Sequence, residues 1–97
     1  MLFTIYILRC SDGSYYTGLT RMEAEQRLWQ HNEGIVDSYT YSRRPVELVF
    51  TETTDSSSAA VARERQIKGW SREKKEALIA GDWERLAALS KNRQHDP

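Results

Sequence analysis

The chain has a single cysteine, Cys10, so no internal disulfide framework can form and a reducing compartment is the natural setting. It also lacks a long apolar run. The opening stretch from Leu2 to Leu8 is too short to span a bilayer and leads directly into Arg9, Asp12 and Gly13 rather than a small-residue cleavage site. These features predict a cytoplasmic protein. Neither sign of charge is in excess: 14 Lys and Arg balance 14 Asp and Glu, which counts mildly against a nucleic-acid partner. With two prolines, five glycines and no repeat, nothing marks a linker or a second domain. At 97 residues, one modest core is the expectation, with residues 1–90 as one domain and residues 91–97 as a frayed polar tail.

The charges that are present are unevenly placed. Between Arg63 and Lys75, six basic residues (Arg63, Arg65, Lys68, Arg72, Lys74 and Lys75) face only Glu64 and Glu73. A local basic face is therefore compatible with a neutral total, and so is an ordinary solvated helix.

Hydrophobic patterning supplies the elements. Residues 2–9 alternate, with Phe3, Ile5 and Ile7 on one side and Thr4, Tyr6 and Leu8 on the other. Ser11, Asp12 and Gly13 supply turn chemistry before a second β-favouring run over Tyr15–Leu19. Loop length decides which side chains share a face. A two-residue loop would put Tyr6 and Tyr16 on opposite faces. A three-residue loop with Gly13 left-handed would pair residue 8 with residue 16 and bring both tyrosines to one face, and this is the register predicted.

Thr20-Arg21-Met22-Glu23 has the form of a capping box, predicting a helix from just after Thr20 to about Asn32, with Gly34 beyond its end. Residues 35–44 read as a loop, with Arg44 held out of helix by Pro45. A third strand is predicted over Val46–Glu52, then helices over Ala59–Lys68, from Ser71 to Ala80, and from Asp82 to Leu89. The order β-β-α-β-α-α-α gives an α+β fold, a small three-stranded, mainly antiparallel sheet flanked by helices. Trp29, Trp70 and Trp83 are expected to fill core or helix–sheet contacts.

Glu64 is the most informative polar residue. Ala60, Val61 and Ile67 are its neighbours on a helix, so its carboxylate lies on or beside the apolar stripe. A desolvated carboxylate requires compensation from a divalent cation, an arginine such as Arg27, or a helix N-terminus. Arg27 and His31 stack one turn apart. Arg27 reads either as a surface residue packed by its stem or as a phosphate clamp, and His31 either as an ordinary histidine or as a proton shuttle. Tyr6 and Tyr16 taken singly read as strand packing. No zinc spacing, serine triad, carboxylate pair or phosphate-cradling glycine loop is present, and Cys10 has no activating motif.

The combination is more specific than its members. Thr4-Ile5-Tyr6, Tyr16-Thr17-Gly18, Arg27 with His31, and then Glu64 resemble, in order and spacing from about residue 3 to residue 68, the GIY-YIG endonuclease superfamily. The run from Gln66 to Ile79 is similar to the small stand-alone bacterial branch of that superfamily. The resemblance implies a GIY-YIG fold and a hydrolase that cuts phosphodiester bonds in nucleic acid, DNA above all, with Mg2+ or another divalent cation such as Mn2+. It implies Tyr6, Tyr16, Arg27 and His31 as catalytic residues and Glu64 as the metal ligand. Arg43, Arg44, Arg63 and Lys68 are candidate substrate-binding residues, and a protein partner could supply specificity. Thr4 stands where the first motif has glycine and Thr17 where the second has isoleucine. An asparagine that many members carry after the metal glutamate has no clear counterpart. Competing readings are a nucleic-acid-binding module without cleavage and a protein-interaction domain of the same fold.

Overall fold

A computed structural model describes residues 1–36 and 38–94. Three strands, β1 (Phe3–Arg9), β2 (Tyr15–Thr20) and β3 (Glu47–Thr54), form one antiparallel sheet in the order β2-β1-β3. Helix α1 (Ala24–Asn32) follows β2, and α2 (Ser57–Lys68), α3 (Arg72–Ala80) and α4 (Trp83–Gln94) follow β3. Among the described residues no helix is long and apolar enough to cross a membrane.

The central position of β1 explains its composition. Its residues Ile5 to Leu8 are all buried, because helices cover both faces of the sheet. Ile5 and Ile7 pack with Ala60 and Ile67 of α2 and Leu78 of α3. Tyr6 and Leu8 point the other way, into a smaller cluster with Cys10 and Val46 that Leu28 of α1 helps to close. A β-bulge in the β1–β3 ladder pairs Ile7 with Phe50 but Leu8 with Leu48. The extra residue, Val49, breaks the strict alternation, so that Val49 and Phe50 both serve the Ile5–Ile7 side.

The hairpin adopts the three-residue loop. Cys10 N–H donates to the Ser14 carbonyl at 2.8 Å, Gly13 has φ of 85°, and Leu8 pairs with Tyr16 and Tyr6 with Gly18. Asp12 closes the turn by accepting from Ser14 N–H at 3.0 Å. Thr17, paired with Ile7 and on the same Ile5–Ile7 face, is 2% exposed, and its hydroxyl oxygen has no hydrogen-bond partner. A buried hydroxyl without a partner is a cost to the fold.

Several expectations are corrected. The capping box does not form, since Thr20 still pairs with Thr4 in the sheet and its hydroxyl accepts from Met22 N–H at 3.1 Å. Helix α1 therefore starts at Ala24, with Glu23 in the cap position and no side-chain cap bond. The third strand runs two residues past Glu52, to Thr54. The loop before it contains a 3-10 turn over Tyr41–Arg43. As expected, Ser56 and Ser71 cap α2 and α3 through their hydroxyls, and Gly81, with φ of 70°, ends α3. Helix α4 continues five residues beyond Leu89 to Gln94, and the end of the expected tail, residues 95–97, lies outside the described residues. Of the three tryptophans only Trp70 packs against the core, while Trp29 and Trp83 are 56% and 63% exposed. Trp29 lies on the opposite side of α1 from the Arg27–His31 row, and Trp83 opens α4, which packs on α3.

Candidate active site

The face of the sheet that carries Tyr6 is where the candidate residues gather. Because Tyr6 lies opposite Gly18 in register, its ring lies over a residue without a side chain. A Cβ on Gly18 would stand 2.4 Å from both Cζ and Oη of Tyr6. That is a steric reason for glycine at the end of the Tyr16-Thr17-Gly18 motif. Helix α1 crosses this face and presents Ala24, Leu28 and His31 inward, with Arg27 half-buried beside them.

The contacts are direct. Tyr6 Oη lies 3.0 Å from His31 Nε2, and Arg27 Nε donates to the same oxygen at 3.4 Å. Arg27 Nη1 donates to Gln30 Oε1 at 2.8 Å, which holds the guanidinium along the helix. The Tyr16 ring centroid is 6.3 Å from that of Tyr6 and 5.3 Å from that of His31. Tyr6 and His31 are 1% and 0% exposed, whereas Tyr16 is half-buried. Tyr6, Tyr16, Arg27 and His31 thus form one contact group.

Apart from Arg43 and Arg44, the loop after α1 carried no predicted site residue, and the structure shows it as the outer wall of this group. His31 Nδ1 lies 2.6 Å from the hydroxyl of Thr40, itself fully buried, and Thr40 Oγ1 is 3.1 Å from Ser38 Oγ. Tyr39 stacks on Tyr16 with ring centroids 6.4 Å apart. Polar loop residues have no periodic signature, so only their proximity in space identifies them.

Two of the candidate substrate-binding arginines anchor that loop. Arg43 donates to Asp12 Oδ2 at 3.1 Å and to the Tyr39 carbonyl at 2.9 Å, and its guanidinium lies 3.8 Å from the Tyr39 ring centroid. Arg44 donates to the Tyr41 carbonyl at 2.8 Å and to the Asn32 carbonyl at 3.4 Å, and it lies over the Tyr41 ring. The Asn32 amide clamps both backbone groups of Val46, at 2.7 and 3.0 Å, fixing the end of α1 to the start of β3. Arg63 stands on the opposite face of the sheet from Tyr6. It forks onto Glu52, the partner of Ile5 in register, at 2.8 and 3.2 Å.

Glu64 comes from that opposite side, on α2 between the buried residues Ala60 and Ile67. Its side chain is 17% exposed and accepts from Lys68 Nζ at 3.1 Å. It shares no hydrogen bond with the tyrosines, but its charge acts on Tyr6. Among the described residues no three His, Cys, Asp or Glu side chains converge as an all-protein metal cage. Glu64 offers one carboxylate, already paired with the Lys68 ammonium, so a divalent ion there would have to displace that ammonium and draw its other ligands from water and a phosphate.

Burial sets the protonation states. It raises the Tyr6 phenol above 10, with Tyr16 and Glu64 adding to the shift and the Arg27 bond opposing it. Burial, and then the Arg27 charge, lower His31 to about 4, so the imidazole is neutral at pH 7. Burial also raises the Cys10 thiol, so that it stays protonated. Below the unfolded pKa of about 6.5, the unfolded chain binds a proton that the folded imidazole refuses until about pH 4. The stability this residue confers is therefore complete above pH 6.5 and lost as pH falls toward 4, by about 3 kcal/mol. Urea denaturation at pH 7 and pH 4 should show that additional loss in the native protein and not in His31→Gln.

A family model, the GIY-YIG catalytic domain, matches residues 2–77. The chain belongs to the GIY-YIG family. This GIY-YIG domain is 49% identical over 78 residues to a UPF0213 protein of Natronomonas pharaonis, covering 80% of this chain and 91% of the relative. It is likewise 49% identical over 76 residues to a UPF0213 protein of Staphylococcus saprophyticus, covering 78% of this chain and 92% of that one. Among solved structures, the solution NMR structure of the UPF0213 protein BH0048 from Bacillus halodurans is 39% identical. It covers 93% of this chain and 98% of the other, with a TM-score of 0.55. The protein EF2693 from E. faecalis has the same TM-score at 31% identity, over 100% of this chain and 92% of the other. The three-stranded antiparallel sheet with helices in this order is thus the fold of small GIY-YIG relatives.

Proposed function

We propose that this GIY-YIG domain is a metal-dependent endonuclease that hydrolyses phosphodiester bonds in nucleic acid, DNA first. The observation that carries this reading is the Tyr6 phenol held between His31 Nε2 and Arg27 Nε, beside Tyr16. A phenol is a weak base at neutral pH, and burial weakens its acidity further. In contact with a neutral imidazole, however, it can accept a proton from water as it passes its own to His31 Nε2, so no free phenolate has to form. The water oxygen bonds to phosphorus, the bond to the leaving sugar oxygen breaks, and a solvent proton caps that oxygen.

Arg27 supports the same reading. Its bond to Tyr6 is long and its guanidinium is half-buried, so turning outward to a phosphate lets it neutralise charge on the non-bridging oxygens. Tyr6 is enclosed in the free protein, and the outward turn of Arg27 is the movement that would open its oxygen to water. Tyr16, the more exposed ring, orients water or substrate. Glu64 is the residue that would hold Mg2+ or Mn2+, and such an ion supplies charge stabilisation at the phosphate and the leaving oxygen. Lys68, the exposed ammonium beside Glu64, would add positive charge for the nucleic-acid backbone there.

Purified protein incubated with branched, single-stranded and duplex DNA and with RNA should nick at least one substrate with magnesium and none with chelator. Binding without cleavage of any of them would favour the non-catalytic module. Equal activity in Glu64→Ala would remove Glu64 from the metal site.

A further inference from the structure

We propose that Thr40 is a positioning residue that fixes the tautomer of His31, keeping Nε2 free of hydrogen so that it accepts from the Tyr6 phenol. The inference rests on the reading of Tyr6 and His31 as the proton-transfer pair of the nuclease. It starts from the need to place one buried proton. The Tyr6 hydroxyl is enclosed, and its two polar neighbours are Arg27 Nε and His31 Nε2. A guanidinium only donates, so the acceptor for the phenol proton is Nε2.

A neutral imidazole carries one N–H, and burial together with the Arg27 charge keeps His31 neutral at physiological pH. With Nε2 bare, the hydrogen resides on Nδ1 and points at Thr40 Oγ1, 2.6 Å away. Thr40 can then donate its own hydrogen to Ser38 Oγ at 3.1 Å. The protons of Tyr6, His31 and Thr40 each find an acceptor when the row runs in this one direction, ending on Ser38 Oγ. Reversing the row would put N–H groups from both Arg27 and His31 on the Tyr6 oxygen and leave the enclosed phenol hydrogen with no acceptor among these groups.

Thr40 therefore does for His31 what a buried orienting group does for a catalytic imidazole elsewhere: it holds the ring and supplies the buried acceptor without which the Nδ1–H form, set by Arg27 and the phenol, would leave its hydrogen unpaired. A neutral hydroxyl fills this place, where a carboxylate would also favour the imidazolium. His31 consequently stays a neutral acceptor until the phenol hands it a proton.

The test is a long-range nitrogen–proton NMR spectrum of the full chain labelled with 15N-histidine, with His95→Gln used to assign the two histidines. At pH 7 the His31 Nδ1 signal is expected in the protonated range and Nε2 in the unprotonated range. The reverse pattern would overturn the proposal, whether or not the protein cuts nucleic acid. In Thr40→Val the Nε2–H form should rise and kcat for nicking should fall about tenfold with KM unchanged, while Thr40→Ser should restore both. An unchanged tautomer in Thr40→Val would also overturn it. If Thr40→Val does not fold, the native spectrum and Thr40→Ser decide. The expected tautomer in a protein that cuts no substrate would instead sink the nuclease reading and leave the Thr40 assignment standing.

Discussion

Replacing Tyr6 by phenylalanine is expected to lower the nicking rate about 10²- to 10⁴-fold, the range that a positioned proton-transfer group contributes. The ring itself should stay in place, because its packing against Leu8, Val46 and Leu28 does not depend on the hydroxyl. What is lost is the partner of His31 Nε2, and an imidazole nitrogen left without a hydrogen bond inside the sheet–helix interface costs about 1–3 kcal/mol. Activity and stability thus fall for one reason, and the two losses can be measured separately. Urea denaturation gives the stability term. Single-turnover nicking, at a concentration where the variant is fully folded, gives the chemical one. A Tyr6→Phe protein that nicks at the native rate would transfer the proton-transfer role away from Tyr6, with Tyr16 the next phenol to test.

Gly18→Ala should be as damaging, although the substitution adds only one methyl group. The Tyr6 atoms that the new Cβ would meet, Cζ and Oη at 2.4 Å and Cε1 at 2.9 Å, all belong to one flat ring. That ring cannot yield by rotating a flexible tip. It is buried, paired with His31 and confined by α1 above it. The ring must be displaced, and overpacking of this kind costs about 1–3 kcal/mol. A displacement near 1 Å also takes the phenol out of reach of His31 Nε2, with an expected loss of about a hundredfold in nicking. Gly13 makes a useful contrast. Its φ of 85° favours glycine, yet a Cβ there meets nothing within 4 Å, so Gly13→Ala should cost only about 1 kcal/mol. The pair Gly18→Ala and Tyr6→Leu should be strongly non-additive in stability, since the smaller side chain makes room for the methyl. Additive losses would show that Gly18 matters for the strand rather than for the ring above it.

The residues that could be read in advance are those whose position follows from local periodicity. Alternation in β1 sorts Ile5 and Ile7 from Tyr6 and Leu8, and the three-residue turn at Gly13 then puts Tyr16 on the Tyr6 face. Four-residue spacing puts Arg27 and His31 on one row of α1. The helix caps at Ser56 and Ser71 follow from the same short-range chemistry, because cap and capped N–H lie within a single turn. The capping box at Thr20 misled because a longer-range interaction prevailed. Pairing of Thr20 with Thr4 keeps the strand going, and a strand residue cannot cap the helix it would have to begin. Trp29 and Trp83 misled for a related reason. Large apolar area predicts burial on average, but α1 turns Trp29 away from the sheet and α4 leaves Trp83 in solvent.

By itself, then, the sequence determined the strands, the helices and which side of each element the motif residues occupy, since these depend on neighbours a few residues away. Only the tertiary structure decided what each polar side chain is bonded to. It tied Arg43 and Arg44 to carbonyls of the loop, set Arg63 on Glu52 across the sheet, and gave Lys68 to Glu64. It also placed Thr40 against His31, and His31 against Tyr6 across 25 residues of chain. Buried polar groups take whatever partner the packed elements bring within about 3 Å, and that proximity has no period to be read in the chain.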